Sequence, residues 1–165
     1  MLGLLLPGHG VANAHGLTAR TSAGPTFLTA NTKAHTATLV LTASLTTALG
    51  GFNFDGYGQG KMVVTIPVGY KVTATFTNKG ALPHSAIITL ASQKAMTNAK
   101  PAFLGAETPN PVTGSPPGAT MKFTFTASKA GSYAIVCAVP GHEAAGMWDT
   151  LKVAMGAKPS VTFLK

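Results

Sequence analysis

Nineteen glycines and eleven prolines punctuate the chain, and the segments between them are short and rich in Thr, Val, Ile and Phe. β-Branched and aromatic side chains suit a pleated, half-buried surface, and Gly and Pro end it. Apolar and polar residues alternate within several segments. Met121, Phe123 and Phe125 share one face against Lys122, Thr124 and Thr126, while Val72, Ala74 and Phe76 oppose Lys71, Thr73 and Thr75. A period of two is that of a strand with one face buried. Strands are expected at Thr36–Ala48, Gly51–Phe54, Met62–Ile66, Tyr70–Thr77, Ser85–Leu90, Thr120–Ala127, Gly131–Cys137 and Trp148–Ala154. Eight short strands predict an all-β, two-sheet sandwich.

At 165 residues the chain has room for one such domain. The division expected is an N-terminal extension over 1–35, polar and irregular from 17 onward, followed by a domain over 36–165. Residues 92–119 carry five prolines and read as a long loop with a helical turn near Gln93–Asn98, serving a function or covering a sheet edge.

Charge and cysteine content exclude several classes of function. Only 10% of residues are charged, with 12 Lys and Arg against 4 Asp and Glu. The bases are scattered singly from Arg20 to Lys165, so the formal charge of +8 reflects missing acids, and no nucleic-acid partner is expected. Scarce carboxylates also suit an acidic medium, where they would be protonated. One cysteine, Cys137, rules out an intramolecular disulfide and any centre needing two thiolates. No apolar run reaches the ~20 residues of a membrane span. The start, Met1-Leu-Gly-Leu-Leu-Leu6, reads as the remnant of a signal or anchor or as a flexible beginning. An extracytoplasmic location, with a membrane tether left open, is the expectation.

The chemistry concentrates between Cys137 and Met147, which are spaced Cys-x4-His-x4-Met around His142. Cys137 ends a predicted strand, Pro140-Gly141 turns the chain, and Met147 opens the next strand. A thiolate, an imidazole and a thioether folded around one point suit copper cycling between Cu(I) and Cu(II), and do not suit magnesium or calcium. His84, in Leu82-Pro83-His84-Ser85, supplies a second imidazole from the start of another predicted strand. Taken singly, each residue reads as core filler or a loop histidine. Taken together they define a trigonal His84, Cys137 and His142 set with Met147 as a weak axial ligand, for one type 1 copper per chain. Ser85 is positioned either to donate to the Cys137 sulfur or to satisfy a strand end. Asn78 ties the two ligand-bearing loops together or is a turn residue. Phe52, Phe54 and Trp148 would exclude water, or are plain core. Apolar surface from Leu82-Pro83, Val139-Pro140 and Ala144-Ala145 is expected around an exposed edge of His142. His9, His15 and His35 have no partner at ligand spacing.

At these residues the sequence resembles the small blue copper proteins of the cupredoxin family, the sulfocyanins most closely and the rusticyanins next. Phe52-Asn-Phe-Asp-Gly-Tyr57, Ile66-Pro-Val-Gly69, Phe76-Thr-Asn78, Pro83-His-Ser85 and the stretch from Gly131 to Met147 carry the likeness, which covers about residues 36–154. The resemblance implies a Greek-key sandwich and the same four ligands. It also implies electron transfer in the respiratory chain of an acidophilic prokaryote, by a monomer serving cytochromes or a terminal oxidase. Sulfocyanins typically carry an N-terminal membrane span, which Met1–Leu6 is too short to form. Asp55 stands where the family often has Asn. A copper oxidase or nitrite reductase would need further histidine pairs, and no His-x-His occurs. A copper carrier would need clustered thiolates or methionines, whereas Met62, Met96, Met121 and Met155 are dispersed.

Overall fold

The computed structural model describes residues 26–165. Nine strands run through them: β1 (Leu28–Asn31), β2 (Thr36–Ala43), β3 (Met62–Pro67), β4 (Lys71–Asn78), β5 (Ile87–Leu90), β6 (Thr120–Thr126), β7 (Gly131–Val136), β8 (Trp148–Ala154) and β9 (Ser160–Phe163). They form a four-stranded sheet in the order β1-β2-β4-β6 and a five-stranded sheet in the order β5-β7-β8-β3-β9. The pairs β2–β4 and β3–β8 are parallel and the others antiparallel. This is the two-sheet sandwich that the alternation predicts, in the cupredoxin-like Greek-key form that the resemblance implies.

The period-two pattern sets the register. Val72 faces Phe125, Ala74 faces Phe123 and Phe76 faces Met121 across β4 and β6, while Leu39 and Leu41 of β2 lie beside Ala74 and Phe76. These side chains meet Val64, Ile66, Ile88, Ile135 and Leu151 from the second sheet in one core. A one-residue slip would turn the whole apolar set to solvent. On the outer face, Thr73 and Thr77 lie within hydrogen-bonding distance of Thr124 and Thr120.

The expected strand Thr36–Ala48 ends at Ala43, because Ser44 takes a left-handed φ of 53° and a 3-10 turn follows at Ala48–Gly51. Gly51–Phe54 is not a strand. Asn53 is consumed in capping this loop, donating from Nδ2 to the Thr46 and Ala48 carbonyls, and only Phe54 makes isolated bridges. Two edge strands escaped the pattern. β1 lies within the stretch read as irregular, and β9 follows the last expected strand; both are four residues long and mostly exposed, so alternation barely marks them. The proline-rich segment runs along the open edge of β5. Ala102 donates to the Ile88 carbonyl, Ile88 to Ala106 and Thr108 to Ala86. Its helical turn lies at Ala91–Gln93, earlier than expected. Among the described residues no helix is long and apolar enough to cross a membrane.

Candidate metal centre

His84 sits in the connection from β4 to β5. The proline-rich segment clamps its backbone, with His84 N–H donating to Ser115 and Ser115 N–H returning to His84. Cys137 follows directly on β7, where the sheet fixes its direction. The chain then reverses at Gly141, whose φ of 84° suits glycine. The loop closes on itself: His142 donates to the Val139 carbonyl, Met147 to His142, and Cys137 to Met147. Gln59 N–H donates to Gly146 and anchors the loop from outside. Two separate connections thus deliver their side chains to one end of the sandwich.

Three donor atoms converge there. Cys137 Sγ lies 3.3 Å from His142 Nδ1 and 3.9 Å from His84 Nδ1, and the two Nδ1 atoms are 3.1 Å apart. The point equidistant from all three is about 2 Å from each, close to the bond lengths of imidazole nitrogen and thiolate sulfur on a first-row metal ion. All three residues are buried. Met147 is fully buried as well, and its backbone joins Cys137 to His142. A soft thiolate with two imidazoles in trigonal array fits one type 1 copper.

Electrostatics keep the imidazoles available to a metal. Burial, and then the neighbouring His142, lower His84 to about 4, and burial also lowers His142. Burial raises the Cys137 thiol, opposed by the Ser85 and Val139 backbone N–H groups, so a cation is needed to hold the thiolate form in this setting. Ser85 does both things expected of it. Its N–H donates to Cys137 Sγ at 3.3 Å, and its hydroxyl accepts from Ala138 N–H while lying 3.7 Å from the sulfur.

Other expectations need correction. Asn78 does not reach the Cys137 loop. It is the turn residue of the alternative reading, accepting from Gly80 N–H two residues on, and it donates to Leu82 and Ser115, joining the His84 loop to the proline-rich segment. Phe52 is the aromatic at the site, its ring edge-on to His142 at 4.8 Å and to His84 at 6.2 Å. Trp148 packs instead in a separate small cluster with Ile87, Ala134 and Val136, under the Lys94 ammonium. His142 is 8% exposed, so its open edge is narrow. His35 is exposed and stacks on Tyr70, away from the centre; His9 and His15 lie outside the described residues. Sequence reasoning overlooked Ser44, whose Oγ lies 3.0 Å from His84 Nε2, because no motif links positions 40 residues apart.

A Greek-key sandwich carrying a buried His-Cys-His cluster on two loops at one end defines a cupredoxin with a mononuclear copper site. The sequence matches the Sulfocyanin (SoxE) domain over residues 23–160. The chain belongs to the sulfocyanin family. It is 35% identical over 108 residues to the sulfocyanin of Sulfolobus acidocaldarius, covering 61% of this chain and 54% of that protein. The match thus spans about half the length of the curated relative. Among solved structures, auracyanin from Roseiflexus castenholzii superposes with a TM-score of 0.52 at 27% identity, covering 71% of this chain and 96% of that one. A rusticyanin variant gives 0.54 at 26% identity, covering 72% and 78%.

Proposed function

We propose that this protein is a blue copper one-electron carrier with His84, Cys137 and His142 as equatorial ligands and Met147 as the axial ligand. The convergence of Cys137 Sγ and the two Nδ1 atoms on one point carries the reading. When bound, copper supplies a one-electron couple between Cu(I) and Cu(II). The chain supplies the rest. Sheet-anchored loops hold the donors in one arrangement, so little reorganisation accompanies a change of charge. Ser85 N–H withdraws charge from the thiolate, and Phe52 covers the imidazoles; both favour the reduced state and a high potential. The sulfocyanin relationship and the acid-poor composition support a place in the respiratory chain of an acidophile. On this reading the carrier works outside the cytoplasm, as a monomer, exchanging electrons with a cytochrome or terminal oxidase through His142 and catalysing no reaction of its own.

The test is a visible spectrum. Adding one equivalent of Cu(II) should produce intense thiolate-to-copper charge transfer, blue or green, and Cys137→Ser should abolish it. Copper-loaded wild type that stays colourless overturns the assignment.

A further inference from the structure

Ser44 stands at the end of β2, where the strand stops on a left-handed φ of 53°. That conformation is disfavoured for serine, and the surrounding loop holds it in place: Ser44 N–H donates to Asn53, whose side chain secures Thr46 and Ala48. The side chain is thereby directed inward. Its hydroxyl makes two short contacts, to the Gly51 carbonyl at 2.6 Å and to His84 Nε2 at 3.0 Å.

The chemistry of those partners settles the direction of both bonds. A carbonyl oxygen can only accept, so the single hydroxyl proton goes to Gly51. Ser44 Oγ then has only lone pairs left for His84, and Nε2 must carry the ring proton. A neutral imidazole protonated at Nε2 has a bare lone pair at Nδ1, the atom that faces Cys137 Sγ and His142 Nδ1. Gly80 leaves room for the pair. A Cβ there would fall 2.6 Å from Ser44 Oγ and 2.8 Å from His84 Nε2.

Resting on the copper reading above, we propose that Ser44 is a positioning residue for the metal centre: as acceptor from His84 Nε2–H, it fixes both ring orientation and tautomer before metal arrives. Partners of this kind orient metal-binding histidines and raise their basicity, and losing one typically weakens metal binding by about 10–100-fold. A more basic imidazole favours Cu(II), so the same bond lowers the reduction potential.

The test compares wild type with Ser44→Gly, Ser44→Ala and Gly80→Ala. Glycine at position 44 removes the hydroxyl while accepting the left-handed backbone without strain, so loss of fold does not obscure the result. Nitrogen-15 NMR of the metal-free protein should show His84 wholly in the Nε2–H tautomer in wild type and mixed in both Ser44 variants. Chelator competition should show Cu(II) binding weakened by about 10–100-fold, and voltammetry a raised potential, in the Ser44 variants. Gly80→Ala keeps the hydroxyl yet displaces the pair, and should weaken binding in the same sense. If wild type is blue while Ser44→Gly matches it in tautomer, affinity and potential, the positioning role is overturned and the copper assignment stands. If wild type itself gives no charge-transfer band, the copper reading fails, and this proposal with it.

Discussion

Met147 and Asp55 are buried single side chains whose replacement has distinct, measurable consequences. Met147 is fully buried and closes the loop between Cys137 and His142. If Met147 is the fourth ligand proposed above, replacing it with Gln keeps length and shape but offers the metal a harder oxygen, which stabilises Cu(II). Met147→Gln should stay folded and show a lower reduction potential by voltammetry; an unchanged or raised value would remove Met147 from the ligand set. Asp55 is buried, with Oδ1 accepting from Thr42 N–H and Oδ2 without a partner. Burial raises its carboxyl to about 6, against 3.8 for the free group. The unfolded chain therefore loses this proton first, and stability falls as pH rises from about 4 to 6, then stays reduced. An amide at this position cannot ionise. Asp55→Asn should be more stable than wild type at pH 7, by on the order of 2–3 kcal/mol, with the advantage gone near pH 4. Denaturant titrations at the two pH values check it.

The proline-rich segment supports the site without contributing a donor atom. It caps the open edge of β5 and grips the residues just before it: Ser115 holds both backbone groups of His84, and Thr108 holds both backbone groups of Ala86, its Oγ1 accepting from Ala86 N–H. Ser85, between them, is the donor to the Cys137 sulfur. The loop thus supports one wall of the centre while removing an exposed strand edge. Thr108→Val preserves shape but leaves the Ala86 N–H buried without an acceptor, at a cost of about 1–3 kcal/mol. The denaturation midpoint should fall with an unchanged m-value, and the folded protein should keep its charge-transfer band. A band lost along with stability would show that this loop controls the ligands directly.

For the whole molecule, the distribution of charge favours acid. Of the four carboxylates in the sequence, Asp55 and Asp149 are buried and Glu143 is paired with Lys94. Burial, together with Asp55, raises Asp149 to about 8. Both buried carboxyls bind protons more readily folded than unfolded, so acidification stabilises through them. The imidazoles act oppositely in the metal-free protein. His84, lowered to about 4, resists the proton that the unfolded chain accepts near 6.5, so its contribution is lost as pH falls between those values. Bound copper changes this balance, because protons must then displace the metal. Calorimetry should find the copper-loaded protein melting above the metal-free protein at pH 7, with the gap narrowing toward pH 4, because copper binding must release the proton of the Cys137 thiol. A gap that stays constant or widens over that range would contradict this account.

The sequence alone determined the core. Alternation in β4 and β6 specified which faces turn inward, since a strand buried on one side must repeat every second residue. It also marked Cys137 and His142, which the fold brings together with His84, because Cys-x4-His-x4-Met fits within a single loop and the graded softness of its side chains is written in residue type. Edge strands β1 and β9 were illegible, as an exposed strand has little apolar pattern to keep. Tertiary structure alone decided which backbone reaches which donor. Asn78 grips Ser115 rather than the Cys137 loop, and Phe52 rather than Trp148 covers the imidazoles. The meeting of Ser44 with His84 depends on where β2 stops and which way its last turn faces. Hydrogen bonds between residues distant in the chain leave no periodic trace, because their partners are chosen by the packing of two sheets.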